Sequence, residues 1–443
     1  MSRDTAMTPA DPPASPPPPL GARRAWRRPL YVAAAIGGLV TAGWLGVDAW
    51  SGWQERLARD ALAEEDLDSA RRHLGLAFWV RSGRVSTNLL AAQIARAARA
   101  YADAEPYLVR CKELGGMTEP LQMEWLLLRC EKGDVDSLAP GLLAAVDQNH
   151  PESAAILESL ALVYMRQTRY PEALGVLNKW VERVPNSPRA LDWHGWVCNQ
   201  MDRRGEAIDD YSRALELRPG RSAVRLRLAQ LLIESARQLE ALPHLERLLT
   251  ERPDDPDVLV GLASCDAVQL RTSEARKRLD AVLAVHPEHF GALRLRGKLE
   301  REEGNYAEAE RWLRKALERK PLDPETRYTV YLVFLAQPDR QRDAADELAR
   351  WEQGRQTIAR VTILLRSELI ARPKDPDLMA EAGELLFGQG EDQRGLFWLN
   401  RALSIDPNHK RSHKALAEYY DRTQNPTLAE AHRRYLAGAP EKR

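Results

Sequence analysis

From residue 151 onward, apolar positions come in paired bursts that repeat every 34 residues. Within a burst the spacing is helical, roughly three to four residues between apolar neighbours. Large apolar side chains recur at Leu160, Tyr164, Leu177, Tyr211, Leu245, Leu279, Leu313 and Leu399. Small residues keep a second register at Ala173, Ala207, Ala241, Ala275, Ala309, Gly395 and Ala429. A further small residue stands 12 positions before each: Ala161, Gly195, Ala229, Ala263, Gly297, Gly383 and Ala417. Small residues at matched offsets on two successive helices allow close ridge-into-groove approach, with the large residues filling the space between. Each unit ends on a proline: Pro151, Pro185, Pro219, Pro253, Pro287, Pro321, Pro373 and Pro407. A proline there stops the second helix and shapes the turn into the next unit. The pattern predicts an all-α solenoid of antiparallel helix pairs, an architecture that presents surface to other molecules.

The segment from Gly304 through Asn305, Tyr306, Ala309, Trp312, Leu313 and Ala316 to Pro321 resembles the second half of a tetratricopeptide repeat. So does the stretch with Gly205, Ala207, Ile208, Tyr211, Ala214 and Pro219. The resemblance implies a right-handed superhelix whose first helices line a concave groove. Repeat starts fall near 154, 188, 222, 256, 290, 324, 376 and 410. Ala70, Ala104 and Leu138 extend the phase backwards at the same spacing, so degenerate units are expected near 51, 85 and 119. The expected organisation is a Pro/Arg-rich tail at 1–29, an anchor at 30–50, degenerate repeats at 51–150 and regular repeats at 151–323. An expanded repeat at 324–375 and C-terminal repeats at 376–440 follow. In the expanded repeat, Pro321 and Pro373 stand 52 residues apart, so 18 are extra. Gly354 and the apolar run Ile358, Val361, Ile363, Leu364, Leu365, Leu369 and Ile370 suggest an additional helix; the simpler alternative is a longer, kinked second helix.

The N-terminal 50 residues change the picture. Pro9, Pro12, Pro13 and Pro16 to Pro19 belong to a tail that cannot build a packed core. Arg23, Arg24, Arg27 and Arg28 follow, then Leu30 to Val47 without a charge. Eighteen such residues span about 27 Å as a helix, close to the bilayer core. Trp26 and Tyr31 flank one end and Trp44, Trp50 and Trp53 the other. This predicts a single transmembrane helix with the arginine side cytoplasmic and the repeats on the periplasmic or exoplasmic side. A signal peptide cleaved near Val47, Asp48 and Ala49 is the alternative. Ala34, Gly38, Ala42 and Gly46 form a smooth strip that would let a second copy pair in the membrane.

Composition removes several classes of function. Lys plus Arg and Asp plus Glu each number 64, so the formal charge is zero, and no nucleic acid is expected as a partner. The basic run Arg294, Arg296, Lys298 and Arg301 has Glu300, Glu302 and Glu303 beside it and reads as an ion-paired helix face. No cofactor motif stands out: the glycines at 291 and 297 mimic a phosphate loop but lie inside a predicted helix. His409 and His413, one turn apart, read as surface histidines rather than metal ligands, as do His286 and His289. Cys111 and Cys198 occupy core positions, and a Cys111–Cys130 bridge between adjacent helices is conceivable in an oxidising compartment. No catalytic, cofactor or metal residues are expected.

The resemblance instead implies a partner-binding groove. Its candidates are Glu158, Leu162, Met165 and Arg166 in one first helix, and Arg189, Asp192, Trp196, Asn199 and Gln200 in the next. Gln230, Glu234, Arg294, Lys298 and Arg301 come from later units. Trp196 offers an aromatic anchor beside Met165 and Leu162, or packs between adjacent helices. Glu158 and Leu162 stand where the family's carboxylate-clamping members carry Lys and Asn, which argues against capture of an acidic C-terminus. The expected function is a non-catalytic, membrane-anchored scaffold for protein or peptide partners. The alternative is an accessory subunit of an envelope-associated enzyme or secretion complex, with catalysis supplied by the partner.

Overall fold

The structure, a computed structural model, describes residues 46–437. Among these there is no strand, and the chain divides into two units, one through Ala145 and one from Val146. The first holds helical residues 46–63 (α1), α2 (Leu67–Arg81), α3 (Val85–Ala97), α4 (Tyr101–Gly115) and α5 (Glu119–Arg129). A π turn at Cys130–Asp134, kinked at Gly133 with φ 135°, leads into α6 (Val135–Asp147), which ends just beyond the unit. Within it α3 packs along α4. Arg96 on α3 is buried between Glu124 on α5, at 2.6 Å, and Glu131, at 2.7 Å. Burial alone would weaken its charge, but the two carboxylates reverse that and hold its pKa above the ordinary arginine value.

The second unit stacks helix pairs with first and second members alternating. They are α7 (Ser153–Arg166) and α8 (Tyr170–Arg183), α9 (Pro188–Gln200) and α10 (Arg204–Leu217), and α11 (Ser222–Glu234) and α12 (Gln238–Glu251). The series continues with α13 (Pro256–Val268) and α14 (Thr272–Val285), then α15 (Phe290–Glu302) and α16 (Tyr306–Arg319). Pro185, Pro219, Pro253, Pro287 and Pro321 each follow the last residue of a second helix by two positions. A second punctuation appears at the first helices. Ser187, Asp255, His289 and Asp323 each accept a backbone N–H of the first turn and so cap the next helix. The turn inside each pair needs a left-handed residue, at Thr168, Asp202, Ala236, Leu270 and Gly304, again 34 apart. Only the last of these is glycine.

The small-residue registers form the contact between paired helices. Ala173, Ala207, Ala241, Ala275 and Ala309 are fully buried. A Cβ built on Gly297 would lie 2.6 Å from Leu313 Cγ, and one on Gly383 would lie 2.6 Å from Leu399 Cγ. Leu177, Leu245, Leu279, Leu313 and Leu399 are themselves fully buried.

The expanded repeat differs from expectation. After α17 (Pro324–Leu335), one second helix, α18, runs Gln341–Ile363 and continues through a π turn at Leu364–Glu368 to Ala371. Gly354 does not interrupt it; its Cα side faces Leu322 at ordinary contact distance and the helix tolerates it. The extra residues therefore lengthen a helix rather than add one, and the irregularity is absorbed by the π turn. Arg366 at its far end donates to the Gln200 carbonyl at 3.1 Å, so this unit turns back on its own earlier repeats. The repeats then resume with α19 (Pro376–Gly388), α20 (Asp392–Ile405), α21 (Lys410–Arg422) and α22 (Pro426–Leu436).

Among the described residues no helix is long and apolar enough to cross a membrane. The tail at 1–29, most of the anchor at 30–50, and Ala34, Gly38 and Ala42 lie outside them. Gly46, at their edge, is helical and exposed.

Candidate functional site

The first helices of the second unit lie beside one another and present one face away from the second helices. Residues from α11, α13, α15 and α17 enclose an open cavity of about 840 Å³. Ile233, Val260, Phe290 and Leu295 contribute apolar surface to its wall. Polar groups surround them: Gln230, Glu234, Arg294, Lys298 and, from the neighbouring turns, Arg204 and Lys320. Four sequence-chosen candidates, Gln230, Glu234, Arg294 and Lys298, thus meet in one place.

Their states differ. Arg294 is paired with Glu325 at 2.6 Å and lies over the Phe290 ring at 5.5 Å. Lys320 also lies over that ring, 4.6 Å from its centroid. Two cations near one half-buried ring give the wall a positive, polarisable character. Glu234 is exposed, and its carbonyl accepts from Arg204. Arg301 lies on the same helix as Lys298 but outside the cavity, 3.6 Å from Glu302. The basic run does form ion pairs elsewhere: Arg296 reaches Asp280 at 3.0 Å and also bonds Glu300.

The earlier candidates are placed otherwise. Glu158 on α7 and Arg189 on α9 pair with each other. Asp192 is buried and held by Arg221 at 3.2 Å and by Arg227, a three-residue ionic knot that joins α9 to α11. Trp196 is half-buried, edge-on to Tyr170 at 5.8 Å, so the second helix of the preceding pair supplies its aromatic neighbour. Tyr170 also feels the charges of Glu391 and Arg394 from α20 and its approach. Leu162, Met165 and Arg166 lie on α7, and Asn199 and Gln200 at the end of α9, where Arg366 takes the Gln200 carbonyl. None of these residues lines the cavity.

The cysteines lie in the core, as expected of Cys111 and Cys198, without the Cys111–Cys130 bridge, and one histidine differs from expectation. All four thiols are free and buried, and burial pushes Cys130 up to about 12 and Cys265 to about 11. His413 is not a surface residue: it is buried, stacked on Tyr435 with centroids 4.1 Å apart, and its Nδ1 lies 2.9 Å from Nδ1 of His432. His409 caps α21 through Ser412. A turn apart on α9, His194 and Cys198 face Asp210 of α10 inside the helix pair. That grouping escaped the sequence, because the partner aspartate lies on the next helix and only the 34-residue register could have aligned it.

The tetratricopeptide repeat pattern matches residues 132–188, 200–265 and 268–324, and the chain carries these repeats. Cellulose synthase operon protein C of Pseudomonas fluorescens (strain SBW25) is 23% identical over 352 residues, covering 68% of this chain and 27% of that protein. The chain thus spans about a quarter of that relative's length. DnaJ protein P58IPK homolog A of Oryza sativa subsp. japonica is 34% identical over 94 residues, 21% of this chain and 20% of that one. Among solved structures, a tetratricopeptide repeat protein from Parabacteroides merdae ATCC 43184 is 18% identical, with a TM-score of 0.36. It covers 63% of this chain and 99% of its own.

Proposed function

We propose that this chain is a non-catalytic scaffold that takes a protein or peptide segment in the cavity between α11 and α17. The observation that carries this is the cavity's make-up. Its wall sets the Phe290 ring, near Arg294 and Lys320, beside Lys298 and the Gln230 amide, neither of which bonds another side chain among the described residues. An aromatic anchor with adjoining cations and a free amide is suited to a segment that offers an apolar side chain, a nearby carboxylate and exposed backbone. The segment Leu30–Val47 holds the scaffold in a membrane with the repeats on the exoplasmic side, and Ala34, Gly38, Ala42 and Gly46 offer a face to a second copy.

The test is site-specific photo-crosslinking in the native membrane. A crosslinker at Gln230 or Lys298 captures a discrete partner, and one at Arg311 on the second-helix face does not. Equal capture from both faces, or none from the cavity, rejects the assignment. Topology is tested separately, by labelling a cysteine added after Arg443 from outside the cell.

An accessory role beside an envelope enzyme is favoured by one observation: the similarity to cellulose synthase operon protein C extends over 68% of this chain. The DnaJ-type relative matches at higher identity over a shorter stretch. Two such differently named relatives match this chain, which selects no partner by itself. A single co-purifying enzyme whose rate changes with this chain would support the accessory role; several stoichiometric partners would support the scaffold.

A further inference from the structure

We propose that His194, Cys198 and Asp210 form a three-ligand site for a thiophilic divalent cation of the zinc class, stapling α9 to α10. The three donor atoms lie within 4.8 Å of one another. His194 and Cys198 are one helical turn apart on α9, and Asp210 reaches them from α10. The site sits at the seam of the pair: Cys198 is fully buried, His194 nearly so, and the Asp210 side chain is 15% exposed.

The distances come near those of a tetrahedral ion. Cys198 Sγ lies 3.6 Å from His194 Nδ1 and 3.9 Å from Nε2, so the thiol sits beside the ring rather than along the Nδ1 lone pair. A tetrahedral zinc with bonds of about 2.0 Å to nitrogen and 2.3 Å to sulfur sets Nδ1 and Sγ about 3.5 Å apart, with the ion on that lone pair. On binding, the thiol rotates toward the lone pair and the carboxylate draws back. Asp210 Oδ2 is 2.6 Å from Nδ1, and coordination would open that gap to about 3.3 Å. Its partial exposure leaves room for the shift.

An independent observation orients the imidazole. His194 Nε2 lies 2.8 Å from Asn178 Oδ1 on α8. An amide oxygen accepts only, so Nε2 carries the proton and donates. That leaves Nδ1, which faces Asp210 Oδ2, as the atom that would take the cation. A hydrogen bond of this kind from the far ring nitrogen is what fixes a metal-binding histidine. In the metal-free chain a proton lies between Nδ1 and Asp210. On binding, the cation replaces that proton and the thiol proton, and both pass to solvent. Water completes the fourth position.

The experiment is cobalt(II) titration of the metal-free, full-length protein, read by absorption. The wild type develops a thiolate-to-cobalt charge-transfer band with tetrahedral visible bands, saturating at one ion per chain. Cys198→Ser loses the charge-transfer band, Asp210→Asn binds at least about tenfold more weakly, and Asn178→Ala loses about 10- to 100-fold. Circular dichroism checks that each variant keeps its helices. If Cys198→Ser does not fold, Asp210→Asn and Asn178→Ala decide the matter. No charge-transfer band in the folded wild type, or an unchanged band without the Cys198 thiol, overturns the assignment. Affinities unaffected by both Asp210→Asn and Asn178→Ala overturn it equally.

Discussion

Gly297→Ala and Gly175→Ala should move stability in opposite directions. Both glycines lie inside helices, so each alanine gains about 0.8–1 kcal/mol of helix propensity. Gly175, on the exposed side of α8, has nothing within 4 Å of the position a Cβ would take. Its alanine should therefore stabilise by close to that full amount. At Gly297 the added carbon would meet Leu313 Cγ at 2.6 Å, Cδ2 at 2.8 Å and the Leu313 backbone nitrogen at 3.2 Å. Leu313 is fully buried and cannot swing into solvent, and the backbone atom cannot rotate away. Overpacking of this kind costs about 1–3 kcal/mol. Because the propensity gain is common to both, the difference between the variants isolates the clash. In a repeat array the loss stays near its origin. After the propensity gain the net loss is at most about 2 kcal/mol, so hydrogen exchange should show α15 and α16 amides opening up to about 40-fold more often, with α7 and α8 unchanged. If Gly297→Ala stabilises as much as Gly175→Ala, the helices do not meet rigidly there, and the small-residue register has another cause. Gly297→Trp should be worse than Gly297→Ala under the same reasoning.

Three further outcomes follow from particular contacts. Arg96→Met leaves Glu124 and Glu131 buried without their cation, so the first unit should lose about 3–5 kcal/mol in urea unfolding; a loss under about 1 kcal/mol would contradict the burial. Thr168 is β-branched and held at φ 56°, so Thr168→Gly should raise the thermal midpoint, gaining up to about 1 kcal/mol; a fall would place its strain elsewhere. Burial, then the neighbouring His413, depress the pKa of His432, whose ring also stacks on Tyr420. Its contribution is therefore complete above its unfolded value near 6.5 and lost as pH falls through the lower folded value. Exchange protection of α21 and α22 should drop on acidification, and His432→Gln should flatten that response.

The helix pairs, their ends and their contact residues were readable because a 34-residue register repeats one physical problem many times. Pro219 alone says little, but Pro185, Pro219, Pro253 and Pro287 in phase each end a helix two residues earlier. The caps at Ser187, Asp255 and His289 and the left-handed residues at Asp202, Ala236 and Leu270 keep the same phase. They were not evident because aspartate, alanine and leucine have no common signature for a positive φ. The length of α18 was not readable either. Gly354 looked like a break, yet a glycine inside a helix lowers stability by only about 1 kcal/mol, which a 23-residue helix tolerates.

The choice among groove residues turned on something no local pattern encodes. Trp196 was the most conspicuous anchor, because a large aromatic between arginines is common at interfaces. In the folded unit its edge meets Tyr170, and the same region faces Glu391, Arg394 and Arg366. Arg366, which makes the last of these contacts, lies in the π turn at the end of the lengthened second helix. Among the early candidates, the Gln200 carbonyl is taken by Arg366 of a later repeat, while Glu158 pairs with Arg189 and Asp192 is held by Arg221 and Arg227. The surface left open is the middle of the series, where α11 to α17 follow one another without interruption. There the Phe290 ring, Lys298 and Gln230 still face solvent together.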